Sequence, residues 1–418
     1  MDRELYVYAD LAGQPHFVGR LWVRFVRGRE SATFEYDPAW LDNPMHFALQ
    51  PALMLGPGPH HARGGKSLFG AFGDSAPDRW GRMLLQREER RKAVVEGRRV
   101  RTLAEVDYLL GVGDSARMGA LRFSEELGGP FLATDDGRQI PPLVQLGALL
   151  TAAQNIDADG GSDEDIRILL APGGSLGGAR PKAAVVDNDG VLSIAKFPKR
   201  GERDDVIGWE ALALTLAARA GLRTAEWRIE RTGAASVLIL RRFDREGELR
   251  VPFMSAMSML DADDRETRSY MELADALRQH GSEPGADCAE LWRKIVFSIL
   301  ISNTDDHLRN HGFLYDAAGG GWRLAPVYDV NPTPETEQPR ILSTTINEDD
   351  ATASLDLAFE VAEHFGVKTG AAKDIAREVG RAVSNWRDEA NRLGISAREI
   401  DRMASAFEHD DLEASQQL

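Results

Sequence analysis

Short runs in which hydrophobic and polar residues alternate occupy the first forty positions of the chain. Residues 5–8, 17–23 and 32–36 follow this pattern, and Gly13-Gln14-Pro15 interrupts the first two runs. Because successive side chains of a strand point to opposite faces, the pattern predicts a small antiparallel sheet. From Asp78 the apolar positions recur every three or four residues, which predicts helices in the segment that follows.

Strand-like and helix-like segments alternate in the middle of the chain. Asn188-Asp189-Gly190 lies between two β-branched runs and is a strong hairpin signal. From Met271 onward the periodicity is helical, except for a hairpin over residues 312–329, and residues 355–412 indicate a helical bundle. The elements predicted for the middle segment are strands at 166–170, 183–186 and 191–197, a helix at 206–220, and strands at 226–230 and 236–243.

This order of elements predicts an α+β protein in three parts. We expect residues 1–150 to form a β-rich N-terminal module with a small sheet and helices. Residues 151–250 are predicted to form a mixed part that contains a glycine loop, and residues 251–418 a helical part.

Composition narrows the class of protein. The chain has 418 residues, 43% of them hydrophobic and 28% charged, which is ordinary globular usage. A net charge of −16 argues against a surface that grips nucleic acid over its whole area. The single cysteine, Cys288, excludes an intrachain disulfide framework and a cysteine-based zinc site. The charged start at Met1-Asp2-Arg3-Glu4-Leu5 and the short apolar stretch at 295–301 indicate a soluble, cytoplasmic protein.

Three features of the mixed part suit phosphate chemistry. The glycines within residues 173–178 allow backbone N–H groups to approach oxygen atoms closely, although such a cluster also forms plain turns. Lys196 lies inside an apolar strand, where a lysine often simply faces water. Glu210 lies among apolar residues of the next helix, and a solvated helix face is its alternative role.

The segment Thr304-Asp305-Asp306-His307-Leu308-Arg309-Asn310 is chemically richer. It places two carboxylates, an imidazole, a guanidinium and an amide within seven residues after a predicted helix. Asp329 follows the apolar end of the predicted hairpin, where an acid often caps a turn or helix. Arg309 suits either a transferred phosphate or an ion pair with a nearby acid, and we interpret His307 as a residue that orients the loop.

Taken in order, these signals match the parts of a protein kinase. In a kinase a glycine loop covers the ATP phosphates, a strand lysine neutralises them, and a helix glutamate holds the lysine by an ion pair. These are the roles predicted for residues 173–178, Lys196 and Glu210.

The spacing in the later segment assigns the remaining kinase roles. Asp305 precedes Asn310 by five residues, as in the kinase catalytic loop, whereas Asp306 precedes it by four. We therefore expect Asp305 to be the catalytic base. Asn310 and Asp329 are predicted to hold magnesium on the ATP phosphates.

Longer motifs resemble those of the HipA-type toxin kinases of bacterial toxin–antitoxin pairs. Residues 74–81 are similar to the family's N-terminal signature, residues 174–182 to its phosphate loop, and residues 241–245 to the connector whose backbone holds adenine. Residues 305–310 and 327–329 are similar to its catalytic and metal motifs. The resemblance extends over nearly the whole chain and implies the protein-kinase-like HipA fold, with a kinase N-lobe-like part followed by a helical C-terminal lobe.

The resemblance also implies a set of site residues. Ser175 stands where the family autophosphorylates a serine, while Asp306 and Arg241 stand where a glycine and a glutamate are expected. The ATP-binding residues implied are Gly177, Gly178, Ala179, Arg180, Pro181, Lys182, Lys196, Arg241, Arg242, Phe243, His307, Leu308, Arg309, Asn310, Tyr328 and Asp329.

The function implied by the resemblance is ATP- and Mg²⁺-dependent phosphorylation of serine or threonine in a cytoplasmic protein. Family substrates are aminoacyl-tRNA synthetases, glutamate-tRNA ligase among them, so the modification would stop translation and growth. The implied partner is a small helix-turn-helix antitoxin of the HipB type, and through it operator DNA.

Two other functions are compatible with the same residues. A small-molecule kinase of the lipid or aminoglycoside type shares the kinase parts, but Ser175 has no purpose there, and the N-terminal β-rich module fits the toxin family better. A catalytically silent co-repressor subunit is the second alternative. Four intact residues argue against it, namely Lys196, Asp305, Asn310 and Asp329.

Overall fold

The chain begins with a long antiparallel hairpin. The computed structural model describes residues 2–26, 28–132, 140–158, 160–170, 178 and 180–418. Strands β1 (Arg3–Leu11) and β2 (Gln14–Val26) are joined by Ala12 and Gly13, whose φ angles of 51° and 77° are both positive. A two-residue turn with two positive φ angles has the type I′ pattern, whose twist matches that of the flanking strands.

Three further strands extend the hairpin into a five-stranded antiparallel sheet. They are β3 (Arg29–Tyr36), β4 (Pro59–His61) and β5 (Leu121–Ser124), and the strand order is β4-β3-β2-β1-β5. Gly19 lies so close to β3 that a Cβ atom there would be 2.1 Å from the carbonyl oxygen of Glu35, so only glycine fits. The predicted small antiparallel sheet is confirmed.

Between Pro38 and Leu170 the described part of the chain contains six α-helices. The long helix of this group begins at an N-cap, Asp78, whose carboxylate accepts a hydrogen bond of 2.8 Å from Gly81 N. The helices are α1 (Pro38–Leu41), α2 (Gly70–Gly73), α3 (Arg79–Val95), α4 (Glu105–Leu110), α5 (Leu146–Asp157) and α6 (Asp163–Leu170).

The predicted strand at residues 166–170 is wrong, because these residues belong to helix α6. Ser162 and Asp165 form a capping box in which Ser162 Oγ accepts from Asp165 N (3.1 Å) and the Asp165 carboxylate accepts from Ser162 N (2.7 Å). Ile166 and Leu170 are four residues apart and both buried. A five-residue run with four apolar residues and Arg167 has no distinctive periodicity, so the capping residues before it carry the signal.

A second, four-stranded sheet follows and contains the predicted central hairpin. Its strands are β6 (Lys182–Val186), β7 (Leu192–Lys196), β8 (Trp227–Thr232) and β9 (Ala235–Arg241), in the order β6-β7-β9-β8. β6 and β7 pair antiparallel around Gly190, whose φ is 77°. The strand positions predicted for this region are confirmed.

One hydrophobic core joins α3, α5 and α6 to this second sheet. The side chains that meet there are fully or almost fully buried, and the expected boundary at residue 150 lies within α5. Among them are Trp80, Leu149, Ile156, Leu169, Val185, Phe197 and Ile239.

A buried cluster of charges ties the segment after β9 to residues 115–119. Asp244 is 1% exposed and lies 2.5 Å from Arg242 Nη2 and 2.6 Å from Arg245 Nη1. Arg242 also donates to the carbonyl oxygen of Ala116 (2.6 Å), and Gly119 N donates to Asp244 (2.8 Å). Burial raises the pKa of Asp244, but the two guanidinium groups outweigh it and hold the pKa below its ordinary value.

Helices dominate the C-terminal part of the chain, as predicted. Several of them pack against α10 (Pro284–Leu300), which is buried over most of its length. The helices are α7 (Val206–Arg219), α8 (Ala256–Met259), α9 (Tyr270–His280), α10 (Pro284–Leu300), α11 (Leu355–Val361), α12 (Thr369–Val383), α13 (Trp386–Leu393), α14 (Ala397–Met403) and α15 (Asp410–Gln417).

The remaining strands are short. The ladder β10 (Arg245–Glu246) and β11 (Leu249–Arg250) follows the buried charge cluster. The predicted late hairpin is formed by β13 (Gly312–Asp316) and β14 (Gly321–Leu324), with β12 (Phe253–Ser255) as the third strand of their sheet.

The chain divides into two compact units. Unit 1 comprises Met1–Glu202 and Ile229–Met254, and unit 2 comprises Arg203–Arg228 and Ser255–Leu418. Helix α7 belongs to unit 2 because Trp209 packs there, with its ring centroid 6.3 Å from that of Trp386. The expected division at residues 150 and 250 stays a prediction.

We predict that Asp244→Ala destabilises unit 1 strongly. The substitution leaves two buried guanidinium groups without their carboxylate, and removing one partner of a buried ion pair costs about 3–5 kcal/mol. Urea denaturation followed by tryptophan fluorescence measures the change. Glu246→Ala, an exposed acid two residues later, is the control and should stay within about 0.5 kcal/mol of the parent. Equal losses in both variants would contradict this role of Asp244.

Candidate active site

The two adjacent acids of the predicted catalytic loop lie in different environments. The loop follows α10 in unit 2 and contains a single 3-10 turn, Leu308–Asn310. Asp305 is exposed, whereas Asp306 is completely buried. A base that takes a proton from a substrate must be accessible, so this difference favours Asp305, the acid selected by the spacing.

Asp306 is held by groups from two helices and by the residues that follow it. Tyr270 OH of α9 donates to its carboxylate (2.6 Å), and Ser298 Oγ of α10 donates at 3.1 Å. Lys294 Nζ of α10 lies 3.1 Å from Asp306 Oδ1, and His311 Nε2 lies 3.2 Å from it. Burial alone raises the pKa of Asp306, but His311, Lys294 and these hydrogen bonds outweigh it and keep the pKa well below its ordinary value.

Asn310 combines one satisfied and one unpaired polar atom. Its Nδ2 donates a 2.8 Å hydrogen bond to the backbone oxygen of Asp305. Because a carbonyl oxygen can only accept, the NH₂ group of the amide must face it, and this fixes which way Oδ1 points. Its Oδ1 is buried and has no hydrogen-bond partner among the residues that the structure describes. An oriented amide oxygen without a donor is a suitable ligand for a hard cation.

Asp329 is the second oxygen donor assigned to magnesium. It is half-buried and has a φ of 56°, a left-handed conformation that residues other than glycine adopt rarely. Such backbone strain concentrates at functional sites. No group of three or more His, Cys, Asp or Glu side chains suited to a metal occurs in the described part of the chain. Magnesium commonly uses only one or two protein carboxylates plus phosphate oxygens, so Asn310 and Asp329 fit it.

The charges around Asp305 change its acidity. Partial exclusion of water raises the pKa of Asp305, and the negative charges of Asp329 and Asp306 raise it further, while His307 lowers it. The net pKa is above the ordinary value for an aspartate. A carboxylate of raised pKa binds a proton more readily, which suits a general base.

The other loop residues surround these groups. Arg309 is exposed and its guanidinium lies 2.7 Å from Asp264, which favours the ion-pair role. Tyr328 OH donates to the carbonyl oxygen of Arg309 (2.8 Å), and Leu308 is buried. His307 is half-buried, and its Nδ1 has no hydrogen-bond partner in the described ranges.

In unit 1 the end of the phosphate-loop motif has two ion pairs. Lys182 is buried, and its Nζ lies 2.7 Å from Asp78 Oδ2, the carboxylate that also caps α3. Arg180 pairs with Glu202 at 2.7 Å. Asp78 therefore links the N-terminal signature of residues 74–81 to the glycine-loop motif.

The remaining predicted residues are placed as follows. Gly178 has a φ of 85°, Pro181 is buried between Arg180 and β6, and Lys196 is buried at the end of β7. In unit 2, Glu210 is buried on α7. Ser175, Gly177 and Ala179 lie outside the described residues.

Within the connector motif, residues 241–245, the side chain of Arg242 makes contacts that stabilise the fold. Arg241 is exposed, and the ring of Phe243 lies 6.2 Å from that of Phe253. The guanidinium of Arg242 is engaged with Asp244 and with the carbonyl oxygens of Ala116 and Arg117, so its predicted nucleotide contact would have to come from the backbone.

Sequence reasoning missed three structural partners of the motifs. Asp78 carried a usable signal, since an Asp before an amphipathic helix predicts an N-cap. Asp244 and Lys294 carried none for these contacts, because Gly119, which donates to Asp244, is 125 residues away and no local pattern connects Lys294 to Asp306.

Profiles of known families match both ends of the chain. The profile described as the HipA N-terminal domain matches residues 12–124. The profile described as the HipA-like C-terminal domain matches residues 174–386, about half of the chain. The chain belongs to the HipA family.

Individual proteins of similar sequence are named as putative kinases. A putative kinase of Sinorhizobium fredii, Y4mE, is 25% identical over 75% of this chain and 76% of its own length. A putative kinase of Haemophilus influenzae is 29% identical over 31% of this chain, and the match spans only 42% of that protein.

A solved structure shows the same fold. The HipA chain of the Shewanella oneidensis MR-1 toxin–antitoxin complex of HipA, HipB and operator DNA superposes with a TM-score of 0.65. The match covers 99% of this chain and 96% of that chain at 18% identity. The predicted α+β, protein-kinase-like HipA fold is confirmed. Among the described residues, no helix is long and apolar enough to cross a membrane.

The raised pKa of Asp305 predicts an unusual effect of its removal on stability. A carboxyl whose pKa is higher in the folded than in the unfolded state destabilises the fold once pH exceeds both values. Asp305→Asn should therefore increase the free energy of unfolding at pH 7, and the difference should vanish below about pH 4, the ordinary range of aspartate.

The neighbouring acid provides the control with opposite sign. Because the pKa of Asp306 is lowered, its ionised form stabilises the fold at neutral pH, and Asp306→Asn should reduce the free energy of unfolding there. Denaturant titrations between pH 4 and pH 7, without nucleotide or metal, measure both. A lower free energy of unfolding for Asp305→Asn than for the parent at pH 7 would refute the raised pKa of Asp305.

Proposed function

We propose that this HipA-family protein is an ATP- and magnesium-dependent kinase that phosphorylates serine or threonine in another protein. The observation that carries the proposal is the arrangement at the catalytic loop. Asp305 is exposed, its backbone oxygen is bound by the Asn310 amide, and Asn310 Oδ1 is left without a donor among the described residues. Phosphoryl transfer in kinases uses a base that accepts the proton of the acceptor hydroxyl and nearby oxygen ligands that hold magnesium. Asp305 and Asn310 Oδ1 are placed next to each other as these two groups would be.

In this proposal each residue has one chemical task. Asp305 accepts the proton of the acceptor hydroxyl, and its raised pKa makes it a better proton acceptor than an ordinary aspartate. Asn310 and Asp329 would hold magnesium, which neutralises phosphate charge when bound. Lys196 would neutralise the ATP phosphates, as the strand lysine does in other kinases. A kinase forms no covalent intermediate with the phosphate in this reaction. Its catalysis comes from the positioning of the reactants and from electrostatic stabilisation of the phosphate charge, which are the tasks proposed for these residues.

The family and its solved relative support a more specific role. We infer that the protein is the toxin of a toxin–antitoxin pair, with an aminoacyl-tRNA synthetase such as glutamate-tRNA ligase as its substrate. A HipB-type antitoxin, and through it operator DNA, is the inferred partner, because the Shewanella HipA was solved with both. The net charge of −16 suits a chain whose partner makes most of the DNA contacts.

Ser175 is the inferred site of self-modification. A phosphate there adds about −1.5 to −2 charges at neutral pH, inside a loop that is proposed to bind an anion. Repulsion of ATP would then leave a folded protein that no longer binds nucleotide.

The first test is phosphoryl transfer from labelled ATP with Mg²⁺. The purified protein should label itself, with Ser175 identified by mass spectrometry, and Ser175→Ala should remove that site. Asp305→Ala should slow transfer by about 10²–10⁴-fold, the usual effect of a positioned base. Asp349→Ala removes another exposed acid of unit 2 and should transfer at the parental rate. No labelling together with tight antitoxin binding would favour the silent co-repressor, and labelling only of small molecules would favour a small-molecule kinase.

The second test concerns growth. Expression without a partner should arrest bacterial growth, and Lys196→Ala should relieve the arrest, because the proposed lysine no longer neutralises phosphate. Quantitative phosphopeptide analysis of both cultures should find a synthetase modified only with the parental protein. The two proteins must accumulate to the same soluble level. An arrest of equal strength in the folded Lys196→Ala variant would mean that toxicity does not depend on phosphoryl transfer.

A further inference from the structure

A lysine buried in the middle of unit 2 contacts the catalytic loop without being part of it. Lys294 lies on α10, and its side chain is only 3% exposed. We propose that Lys294 is a positioning residue that sets the geometry of Asn310 and Asp305 for metal binding and proton transfer. The inference deepens the proposed kinase function and rests on it.

The ammonium group of Lys294 has three acceptors within hydrogen-bond distance. Nζ donates to the carbonyl oxygen of Asn310 (3.0 Å) and to Nδ1 of His311 (3.0 Å), and it lies 3.1 Å from Asp306 Oδ1. An ammonium has three N–H donors and no acceptor, so Lys294 acts on the loop through two hydrogen bonds and one ion pair. All four residues are buried, so water does not readily replace any of these contacts.

The same contacts define the state of His311. Because Lys294 only donates, Nδ1 of His311 must accept, and the proton of the neutral ring is on Nε2. Nε2 lies 3.2 Å from Asp306 Oδ1, so the ring bridges the ammonium and the carboxylate. Burial lowers the pKa of His311, the Asp306 carboxylate raises it and the positive charge of Lys294 lowers it, and the net pKa is below the ordinary value for histidine.

These contacts hold the loop at both of its ends. The carboxylate of Asp306 is held immediately after Asp305, and the main chain of Asn310 is held at the other end of the segment. Asn310 then donates back to the Asp305 carbonyl oxygen, which closes the loop onto itself. The orientation of Asn310 Oδ1 and the position of the proposed base therefore both depend on one ammonium group on a rigid helix.

A purely structural role of Lys294 and a positioning role predict different effects of its removal. Removing Lys294 would destabilise unit 2 in either case, because it leaves the buried carboxylate of Asp306 without its cation. Positioning predicts in addition that the loop loses order locally and that the response to magnesium changes in protein that is still folded. Residues that orient metal ligands typically contribute about 10–100-fold in metal affinity or activity.

The test compares Lys294→Met with two other variants. The double variant Lys294→Met/Asp306→Asn removes both charges, so it avoids an unpaired buried carboxylate if the single variant does not fold. Trp292→Phe on the same helix removes a hydrogen bond from Trp292 Nε1 to the Ala358 carbonyl oxygen (2.9 Å) and destabilises α10 without touching the loop. Melting temperature, hydrogen–deuterium exchange of the peptide covering residues 303–311, and the Mg²⁺ half-saturation of phosphoryl transfer are measured for each.

We expect faster exchange in residues 303–311 and a Mg²⁺ half-saturation raised about 10–100-fold in both lysine variants. Trp292→Phe should melt earlier but keep the parental loop exchange and Mg²⁺ response. Unchanged loop exchange in a folded lysine variant, or the same changes in Trp292→Phe, would overturn the proposal. If the parental protein transfers no phosphate, the kinase function fails, and the exchange measurement still decides whether Lys294 orders the loop.

Discussion

The buried carboxylate of Asp306 is the constraint on which the catalytic region depends. A carboxylate removed from water is costly unless it is paired and hydrogen-bonded, and Asp306 is completely buried. Its partners come from α9, α10 and the loop itself, so satisfying one charge brings three segments together. The adjacent Asp305 is thereby left on the surface, where an acid can meet a substrate.

Unit 1 contains a second example of the same physics. Asp244 is buried between two arginines that also bind the carbonyl oxygens of residues 116 and 117. Asp78 caps α3 with one carboxylate oxygen and pairs with Lys182 through the other. In each case a short motif contacts a segment that is distant in sequence. Some charged residues of the motifs therefore hold segments of the fold together and are not available for catalysis or ligand binding.

Local patterns predicted a large share of the fold. Alternation identified the first three strands of the first sheet, and Asn188-Asp189-Gly190 identified the central hairpin, because both signals act between neighbouring residues. The helix α6 was missed because its apolar residues were considered without the capping box before them. The spacing from Asp305 to Asn310 selected the exposed acid, but the burial of Asp306 depends on Tyr270 and Lys294, which no local pattern connects to it. The roles of Lys182 and Arg242 could not be predicted for the same reason, since their partners lie about a hundred residues or more away.

The left-handed backbone at Asp329 limits how this protein can change through evolution. Of the residues with a side chain, asparagine and aspartate tolerate that conformation best, while β-branched or bulky residues are strained there. A mutation to asparagine keeps the shape and the backbone and removes only the negative charge, whereas most other replacements also disturb the chain around them. Loss of the proposed magnesium-binding charge at this position can therefore proceed through asparagine without loss of the fold. A descendant with the same backbone and an uncharged side chain at this position is accessible from this sequence by a single nucleotide change.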